Sequence, residues 1–239
     1  MCGRYSLTAQ IDQLLPHLKG SLPPGFVEHY APRRLIRPGE PLLIQRQANG
    51  RFEAALALWG LLPGWVKEPA DPRKPTHRPF NARRETVAEK PSFRGAWRHR
   101  RCLIPADAFY EKRFTIRRRD GALFWLAGLW EHWVGADGSE LESCCVLTTE
   151  PNSLIAPLHN RMPALIPVGM EEPWLASTDG AGLRTLEPLL EPWDPQGWDV
   201  VDPQVERGLR RAALGHSPRQ QLLFPFEQDA VASPSTHEP

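Results

Sequence analysis

Hydrophobic residues in this chain fall mainly into short runs separated by turn residues. Each run is rich in β-branched, aromatic or aliphatic side chains and is bounded by Gly, Pro, Asn or Asp, a pattern typical of strands. Because Asp-Gly supplies the positive φ of a tight turn, Asp120-Gly121 favours a hairpin between the runs on either side. The pattern predicts strands at Pro41–Arg46, Phe52–Leu58, Arg101–Pro105, Phe114–Arg118, Phe124–Leu129, Cys144–Thr149 and Ala164–Pro167.

Helical periodicity is rarer than strand patterning. It predicts a helix over Thr8–Leu18 with Thr8 as N-cap, and shorter helices around Thr86–Lys90 and Trp174–Ala176. The 26 prolines among 239 residues also favour loops and short strands, since proline fixes φ and lacks a backbone donor. Strands in the middle of the chain with few helices around them indicate an α+β fold.

The domain organisation follows from the change in composition near the end. No repeat or long linker divides the first two hundred residues, so we expect one domain over residues 1–206. From residue 207 to 239 the chain becomes polar and rich in Pro, Ser and Gln. Such a segment buries little apolar surface, and we expect it to be a mobile tail.

Composition also indicates in which cellular compartment the protein is expected. The chain has neither a long apolar stretch nor the basic and apolar regions of a signal peptide, so it predicts no membrane span and no export. A cytoplasmic protein with reduced thiols is expected. Metal-ligand spacing is missing as well, and no metal or cofactor is predicted. The four cysteines are Cys2, Cys102, Cys144 and Cys145.

Charge is distributed unevenly although the net charge is only +1. Residues 77–119 hold thirteen Lys or Arg against four acidic residues, whereas residues 171–206 hold nine acidic residues against one Arg. The basic run could therefore present a face to nucleic-acid phosphate. Equally, the two runs could face each other or be ordinary solvated surface.

The start of the chain carries an unusual combination of groups. Methionine is commonly removed when the next residue is small, which would make Cys2 the first residue. Its α-amine, with a reference pKa near 8, and its thiol, near 8.5, are both partly nucleophilic at neutral pH. Together they can condense with an aldehyde to a Schiff base and then a thiazolidine ring. Taken alone, a cysteine near a terminus is also explained as a buried or incidental residue.

Five motifs occur in the order and spacing of one family. The chain resembles the SRAP family, the SOS response-associated peptidases understood as abasic-site-crosslinking proteins. The resemblance covers roughly residues 2–205 and implies a single domain of mostly antiparallel, β-barrel-like sheets with a positively charged cleft. The motifs are Cys2-Gly3-Arg4-Tyr5, the segment from Trp59 to Trp65, Asn81-Ala82-Arg83, Arg101 through Asp107 into Phe109-Tyr110-Glu111, and His159-Asn160-Arg161-Met162-Pro163.

The resemblance implies a reactive site of four residues. Cys2 matches the nucleophile, and Asn81 matches an amide that positions the amine or the opened sugar. Glu111 matches a carboxylate that takes and relays protons, and His159 matches an imidazole that protonates the leaving ring oxygen of the sugar. Individually, an Asx turn at Asn81, a solvated Glu111 and a structural His159 fit the same residues.

The resemblance implies a second set of residues that contact DNA. Arg4, Arg83 and Arg161 have planar guanidinium groups suited to phosphate, and Trp65 lies in a loop from which it could stack on bases. The implied function is to sense abasic sites in single-stranded DNA and shield them as thiazolidine crosslinks, with lyase-type cleavage or reversal as further activities. Such a protein would be a monomer associated with the nucleoid through DNA.

Three further interpretations remain open at the level of sequence. Cys2 and His159 could form a cysteine peptidase oriented by Asn81, as the older family name suggests. The chain could instead bind single-stranded DNA without covalent chemistry. In the tail, Gln220, Leu223 and Phe224 resemble a peptide that docks on the replication sliding clamp, although the same segment could pack back onto the domain.

Overall fold

The computed structural model describes residues 3–67, 78–176 and 180–205. Cys2, the predicted tail and its clamp-like segment lie outside these residues. The described residues form two sheets. The strands are β1 Tyr5–Leu7, β2 Arg33–Ile36, β3 Pro41–Ala48, β4 Arg51–Trp59, β5 Asn81–Arg83, β6 Arg101–Ala106, β7 Ala108–Glu111, β8 Phe114–Arg118, β9 Phe124–Val134, β10 Glu140–Thr149, β11 Met162–Pro163, β12 Leu165–Ile166 and β13 Trp198–Val201.

The first sheet places the start of the chain in its interior. Its strand order is β13-β8-β7-β1-β2, and every neighbouring pair is antiparallel. β1 is fully buried and pairs with β7 in the register Tyr5 to Phe109. Because β1 has hydrogen-bonded neighbours on both edges, it anchors the N-terminal segment within the sheet.

The second sheet closes on itself. β10 pairs with β4 in parallel, and the antiparallel pairs β4–β3, β3–β6, β6–β9 and β9–β10 complete the circuit. Closure leaves these five strands without free edges along much of their length. β5 and β11 add to β10, and β12 adds to β9. The predicted α+β fold with a barrel-like sheet is confirmed.

The described helices are short and lie outside the sheets. They are α1 Ile11–Leu14, α2 Phe26–His29, α3 Arg94–His99, α4 Glu171–Leu175 and α5 Gly180–Leu186, with 3-10 turns at Leu15–His17 and Glu187–Leu190.

Two details of the helix prediction are wrong. The first helix begins after Gln10, which forms a capping box with Gln13, because Thr8 instead binds the Asp107 carboxylate through its hydroxyl at 2.7 Å. Residues 86–90 form turns rather than a helix. A side-chain partner distant in sequence thus moved the start of the first helix.

The hairpin predicted around Asp120-Gly121 is also wrong. Gly121 does turn the chain with φ +70°, but β8 and β9 belong to different sheets. Both edges of β8 are filled by β7 and β13, while β9 lies between β6 and β10. The turn at Gly121 therefore connects a strand of one sheet to a strand of the other.

The hydrophobic core joins both sheets. One cluster packs Tyr5 and Phe109 of the first sheet against Ile44 and Trp59 of the barrel, while a second lies between the barrel and α3–α5. Residues through Pro203 form one compact unit. The predicted boundary at residue 206 lies outside the described residues. No described helix combines the length and apolar character needed to cross a membrane.

Candidate functional site

Glu111 and the beginning of the chain meet at one end of the first sheet. Tyr5 pairs with Phe109, and the Tyr110 amide donates to the Arg4 carbonyl at 2.9 Å. Continuing this antiparallel register places Gly3 opposite Glu111, the last residue of β7. Glu111 is partly buried there, immediately before the turn in which Lys112 adopts φ +53°. Cys2 precedes Gly3 and lies outside the described residues.

Asn81 and Arg83 lie on one face of β5. This strand runs parallel to β10, with Asn81 opposite Val146 and Arg83 opposite Thr148. Side chains alternate along a strand, so buried Ala82 points to the core while Asn81 and Arg83 share the other face. Asn81 is partly buried and Arg83 is exposed. The residue pattern does not reveal this strand, because three residues are too few to show alternation.

His159 lies in the turn before β11, and Arg161 holds that turn against β10. The Arg161 guanidinium binds both carboxylate oxygens of Glu85, at 2.7 and 2.9 Å, and donates to the Thr148 carbonyl at 2.6 Å. The Arg161 amide donates to Nδ1 of His159 at 2.9 Å. Thr148 also pairs with Arg83, so the His159 turn and the β5 face are neighbours along β10.

Two tryptophans connect the groups on the two sheets. Trp59 packs edge-on against Tyr5 at 5.5 Å and donates its indole N–H to the Phe80 carbonyl, next to Asn81, at 2.8 Å. Trp193 packs against Phe109 of β7 and donates to the carbonyl of Pro163 in β11. The tertiary structure thus links the β1–β7 end to β5 and the His159 turn.

The predicted DNA-contact residues occupy different environments. Arg83 is exposed and forms no ion pair among the described residues. Arg4 donates to the Lys112 carbonyl in the β7–β8 turn. Arg161 is mostly buried against Glu85, its side chain 11% exposed. A phosphate contact by Arg161 stays a prediction and requires that it leave or share Glu85.

Trp65 is exposed, and its turn is anchored near the start of β10. It is 64% exposed in a turn held by a hydrogen bond from the Trp133 indole to the Val66 carbonyl. Trp133 pairs with Leu141 near the start of β10, whereas Arg83 pairs with Thr148 near its end. Seven residues of strand correspond to roughly 20 Å. The hydrogen bond that holds the Trp65 turn thus lies nearer the start of β10 than the level of Arg83, and the place of Trp65 in the DNA contact stays a prediction.

The uneven charge is partly neutralised within the fold. Arg113 pairs with Asp202 at 2.8 Å, and Arg119 pairs with Asp199 at 3.0 Å beside the β8–β13 pair. Arg84 likewise binds Glu191 at 2.6 Å. The basic and acidic runs thus face each other at several positions, as one interpretation of the sequence allowed. The predicted positively charged cleft stays a prediction.

Glu85, which holds Arg161, lies outside the residues that the sequence motifs indicate as functional. The available signal was an acidic residue two positions after Arg83 within a strongly basic run. Spacing along the chain does not reveal the pair, because Glu85 and Arg161 are 76 residues apart.

Comparison with known proteins identifies the family of this chain. The profile of the family described as SOS response associated peptidase (SRAP) matches residues 1–207. The chain belongs to the SRAP family. Abasic site processing protein YoqW of Bacillus subtilis is 34% identical over 205 residues, covering 81% of this chain and 88% of that protein. Abasic site processing protein HMCES of Xenopus tropicalis is 28% identical over 150 residues, covering 51% and 44%.

Solved structures of similar proteins support the SRAP fold. A protein from Bacteroides thetaiotaomicron superimposes with a TM-score of 0.72 at 27% identity, covering 83% of this SRAP chain and 90% of that one. A Bordetella bronchiseptica protein superimposes with a TM-score of 0.68 at 25% identity, covering 84% and 98%.

Proposed function

We propose that this SRAP protein processes abasic sites in single-stranded DNA by crosslinking them through Cys2. Relatives that match most of the chain are abasic site processing proteins. The observation that carries the chemical part is the register that sets Gly3 opposite Glu111 on an internal strand. A chain start held beside a carboxylate suits proton transfer to and from an α-amine.

The proposed reaction needs both nucleophiles of Cys2. After Met1 is removed, the α-amine adds to the aldehyde carbon of the opened sugar, and loss of water leaves a Schiff base. The sulfur then adds to the same carbon, the nitrogen takes a proton, and a thiazolidine ring closes. Glu111 accepts a proton from the amine and returns one during ring closure or reversal.

The other three cysteines are poorly suited to this role. Cys102, Cys144 and Cys145 are fully buried. Burial in apolar surroundings raises the pKa of each thiol well above its ordinary value. A buried thiol without access to substrate is inert, so the thiol chemistry falls to Cys2.

Asn81 and His159 supply hydrogen bonds on the far side of the site. The Asn81 amide, on the face that it shares with Arg83, positions the opened sugar. His159 donates to the ring oxygen that leaves when the closed sugar opens to its aldehyde. Both residues lie along β10, and the two tryptophans connect them to the Glu111 end.

Arginine contacts position the strand by its phosphates. Arg83 is exposed beside Asn81 and is the proposed principal contact. Arg4 adds positive charge near the Glu111 end, and Arg161 contacts phosphate only if it leaves or shares Glu85. Trp65 is exposed in a turn anchored near the start of β10, and its proposed role is to stack on bases several nucleotides from the lesion.

A denaturing gel tests the proposal. Purified protein is mixed with single-stranded DNA that contains one abasic site, and with the same DNA without the site. We expect an adduct that survives denaturation only with the damaged strand. It is lost in Cys2→Ala and Cys2→Ser, and when an uncleavable N-terminal extension blocks the α-amine.

Three results would count against crosslinking through Cys2. An adduct that persists with the blocked α-amine would exclude a thiazolidine. Hydrolysis of a peptide substrate without DNA, dependent on Cys2, would support the peptidase interpretation. Binding to DNA without any covalent product would leave only a single-strand binder.

Docking on the sliding clamp is a separate proposal. Gln220, Leu223 and Phe224 would fill an apolar groove on the clamp, tethering the protein to replication. A pulldown with purified clamp tests it. Unchanged capture by the Leu223→Ala, Phe224→Ala double variant would rule this docking mode out.

A further inference from the structure

We propose that Glu85 is a positioning residue for His159 and acts through Arg161, which holds His159 as a neutral hydrogen-bond donor. The inference rests on the proposed role of His159 at the leaving ring oxygen. It adds a residue to the four proposed reactive-site residues, which are Cys2, Asn81, Glu111 and His159. It also specifies that Nε2 of His159 donates the hydrogen bond to the sugar.

The Glu85–Arg161 pair has the geometry of a fixed support. Two parallel bonds of 2.7 and 2.9 Å join the guanidinium to the carboxylate. The Arg161 side chain is 11% exposed and that of Glu85 is 34% exposed. A bidentate pair whose arginine is mostly buried restricts rotation more than a single contact between two exposed side chains.

The pair is anchored to the barrel at a second point. Arg161 donates to the Thr148 carbonyl at 2.6 Å, and the same carbonyl accepts the Arg84 amide at 3.0 Å. Glu85 follows Arg84 directly, so both partners of the ion pair are attached to one residue of β10. Movement of Arg161 relative to the strand is therefore limited from both sides.

The backbone of Arg161 transmits this restraint to the imidazole. Its amide donates to Nδ1 of His159 at 2.9 Å, which requires a lone pair on Nδ1. In neutral His159 the hydrogen then resides on Nε2. A proton added at Nδ1 would face the amide hydrogen and break this bond.

The fixed tautomer defines what His159 does. Nε2–H offers a hydrogen bond to an oxygen that gains negative charge, such as the ring oxygen of the opening sugar. Accepting a proton at Nε2 would require the other tautomer. The arrangement therefore favours a neutral donor, and it is unsuited to the general base that a Cys–His peptidase requires.

The main test is Glu85→Gln, which keeps the size of the side chain but removes its charge. The control is Glu89→Gln, an exposed glutamate in the next turn that forms no ion pair among the described residues. The rate constant of adduct formation at saturating abasic-site DNA and the dissociation constant for undamaged single-stranded DNA are measured separately. We expect Glu85→Gln to lower the rate constant about tenfold. This is less than the roughly hundredfold or larger loss expected when an acid–base group itself is removed, because His159 is still present. Its dissociation constant should change less than about threefold, and Glu89→Gln should change neither.

A spectroscopic measurement follows the tautomer directly. Long-range proton–nitrogen NMR of the full chain, without DNA, reports which ring nitrogen of His159 carries hydrogen. We expect a single Nε2–H form in the wild type and in Glu89→Gln, and a mixture of tautomers in Glu85→Gln. Arg161→Lys, which keeps the charge but loses the fork, should give the same mixture and provides a second variant if Glu85→Gln folds poorly.

Combining variants separates positioning from a general loss of structure. In a His159→Ala background Glu85→Gln should have no further effect on the rate constant, because its target is gone. An equal slowing in both backgrounds would overturn the proposal, as would an unchanged tautomer. Tighter DNA binding at an unchanged rate would mean that Glu85 only competes with phosphate for Arg161. If the wild type formed no adduct, the proposed function would fail, while the NMR result would still decide the positioning claim.

Discussion

Trp59 donates its indole N–H to the carbonyl of Phe80 across 2.8 Å, immediately before Asn81. The same carbonyl accepts the Val146 amide at 3.0 Å, so one oxygen links β4, β5 and β10. Trp59 is fully buried and packs against both Tyr5 and Phe80. A core tryptophan thus sets the position of a proposed site residue without belonging to the site.

Replacing this tryptophan should affect both stability and activity. Trp59→Phe retains an aromatic ring but removes the donor. We expect it to destabilise the protein by about 1 kcal/mol more than a matched buried change, because a hydrogen bond is lost in addition to volume. Adduct formation should also slow as Asn81 loses support. Urea denaturation and the gel assay measure the two effects.

Trp130→Phe is the matched control for this prediction. Trp130 is also buried, but its indole nitrogen has no hydrogen-bond partner within the described part of the chain. Arg46 stacks on its ring at 4.0 Å, and a phenyl ring preserves that face. Equal destabilisation by the two variants would show that the Trp59 hydrogen bond contributes nothing measurable.

Glu111→Gln should separate chemistry from binding. The amide has nearly the same shape but accepts protons poorly, so Schiff-base formation and reversal lose their proton carrier. We expect both rates to fall about a hundredfold, with unchanged affinity for undamaged single-stranded DNA. Time courses on denaturing gels measure the rates, and Glu28→Gln, an exposed helix residue, is the control. A normal rate would remove Glu111 from the mechanism.

Arg83→Ala should weaken binding through phosphate alone. We expect an affinity loss of about tenfold at low salt, equal for damaged and undamaged strands, because phosphate carries no lesion information. The slope of log affinity against log salt should decrease by about 0.7, the value for one phosphate contact on a single strand. Arg51→Ala, at the exposed start of β4, is the control. An unchanged slope would mean that Arg83 does not contact phosphate.

Trp65 should contribute only on longer strands. Its anchor near the start of β10 lies roughly 20 Å along the strand from the level of Arg83. Stacking on one base contributes about 1–3 kcal/mol. Trp65→Ala should therefore weaken binding about tenfold for oligonucleotides that extend well beyond the lesion, and hardly at all for those that end beside it. Equal losses on short and long strands would place Trp65 at the lesion instead.

Thiol labelling should distinguish Cys2 from the buried cysteines. Burial raises the pKa of Cys102 and Cys144, so both remain protonated and inaccessible at pH 9 in the folded protein. Unfolding lowers these pKa values, and stability should fall as pH rises past the unfolded thiol pKa of about 8.5. We expect one reactive thiol in the native protein and four after denaturation, with Cys2→Ala showing none when native. Labelling of three native thiols in Cys2→Ala would contradict the buried assignment.

Much of the strand content was predictable because alternation and turn residues act locally. β8 was predicted with its observed ends, and β3, β4, β6 and β10 were predicted within a few residues. The missed strands are short. β1 and β5 have three residues each, and they exist because a neighbouring strand supplies hydrogen bonds. The pattern of residues within a short segment does not show which distant strand will supply these hydrogen bonds.

The sequence by itself determined the candidate reactive groups of this protein. Cys2 as a potential N-terminal amine and thiol, together with the motifs around Asn81, Glu111 and His159, can be recognised without coordinates because residue chemistry does not depend on folding. The number and sign of the charges also follow from the sequence alone, as does membership of the SRAP family.

Only the tertiary structure decided which of these groups are engaged and by what. It paired Arg161 with Glu85 across 76 positions, placed the Arg161 amide on Nδ1 of His159, and anchored the Trp65 turn to the Trp133 indole. It also brought basic and acidic runs together at Arg113 and Asp202. Each of these relationships depends on burial and distance between segments far apart in the chain, which the order of residues does not specify.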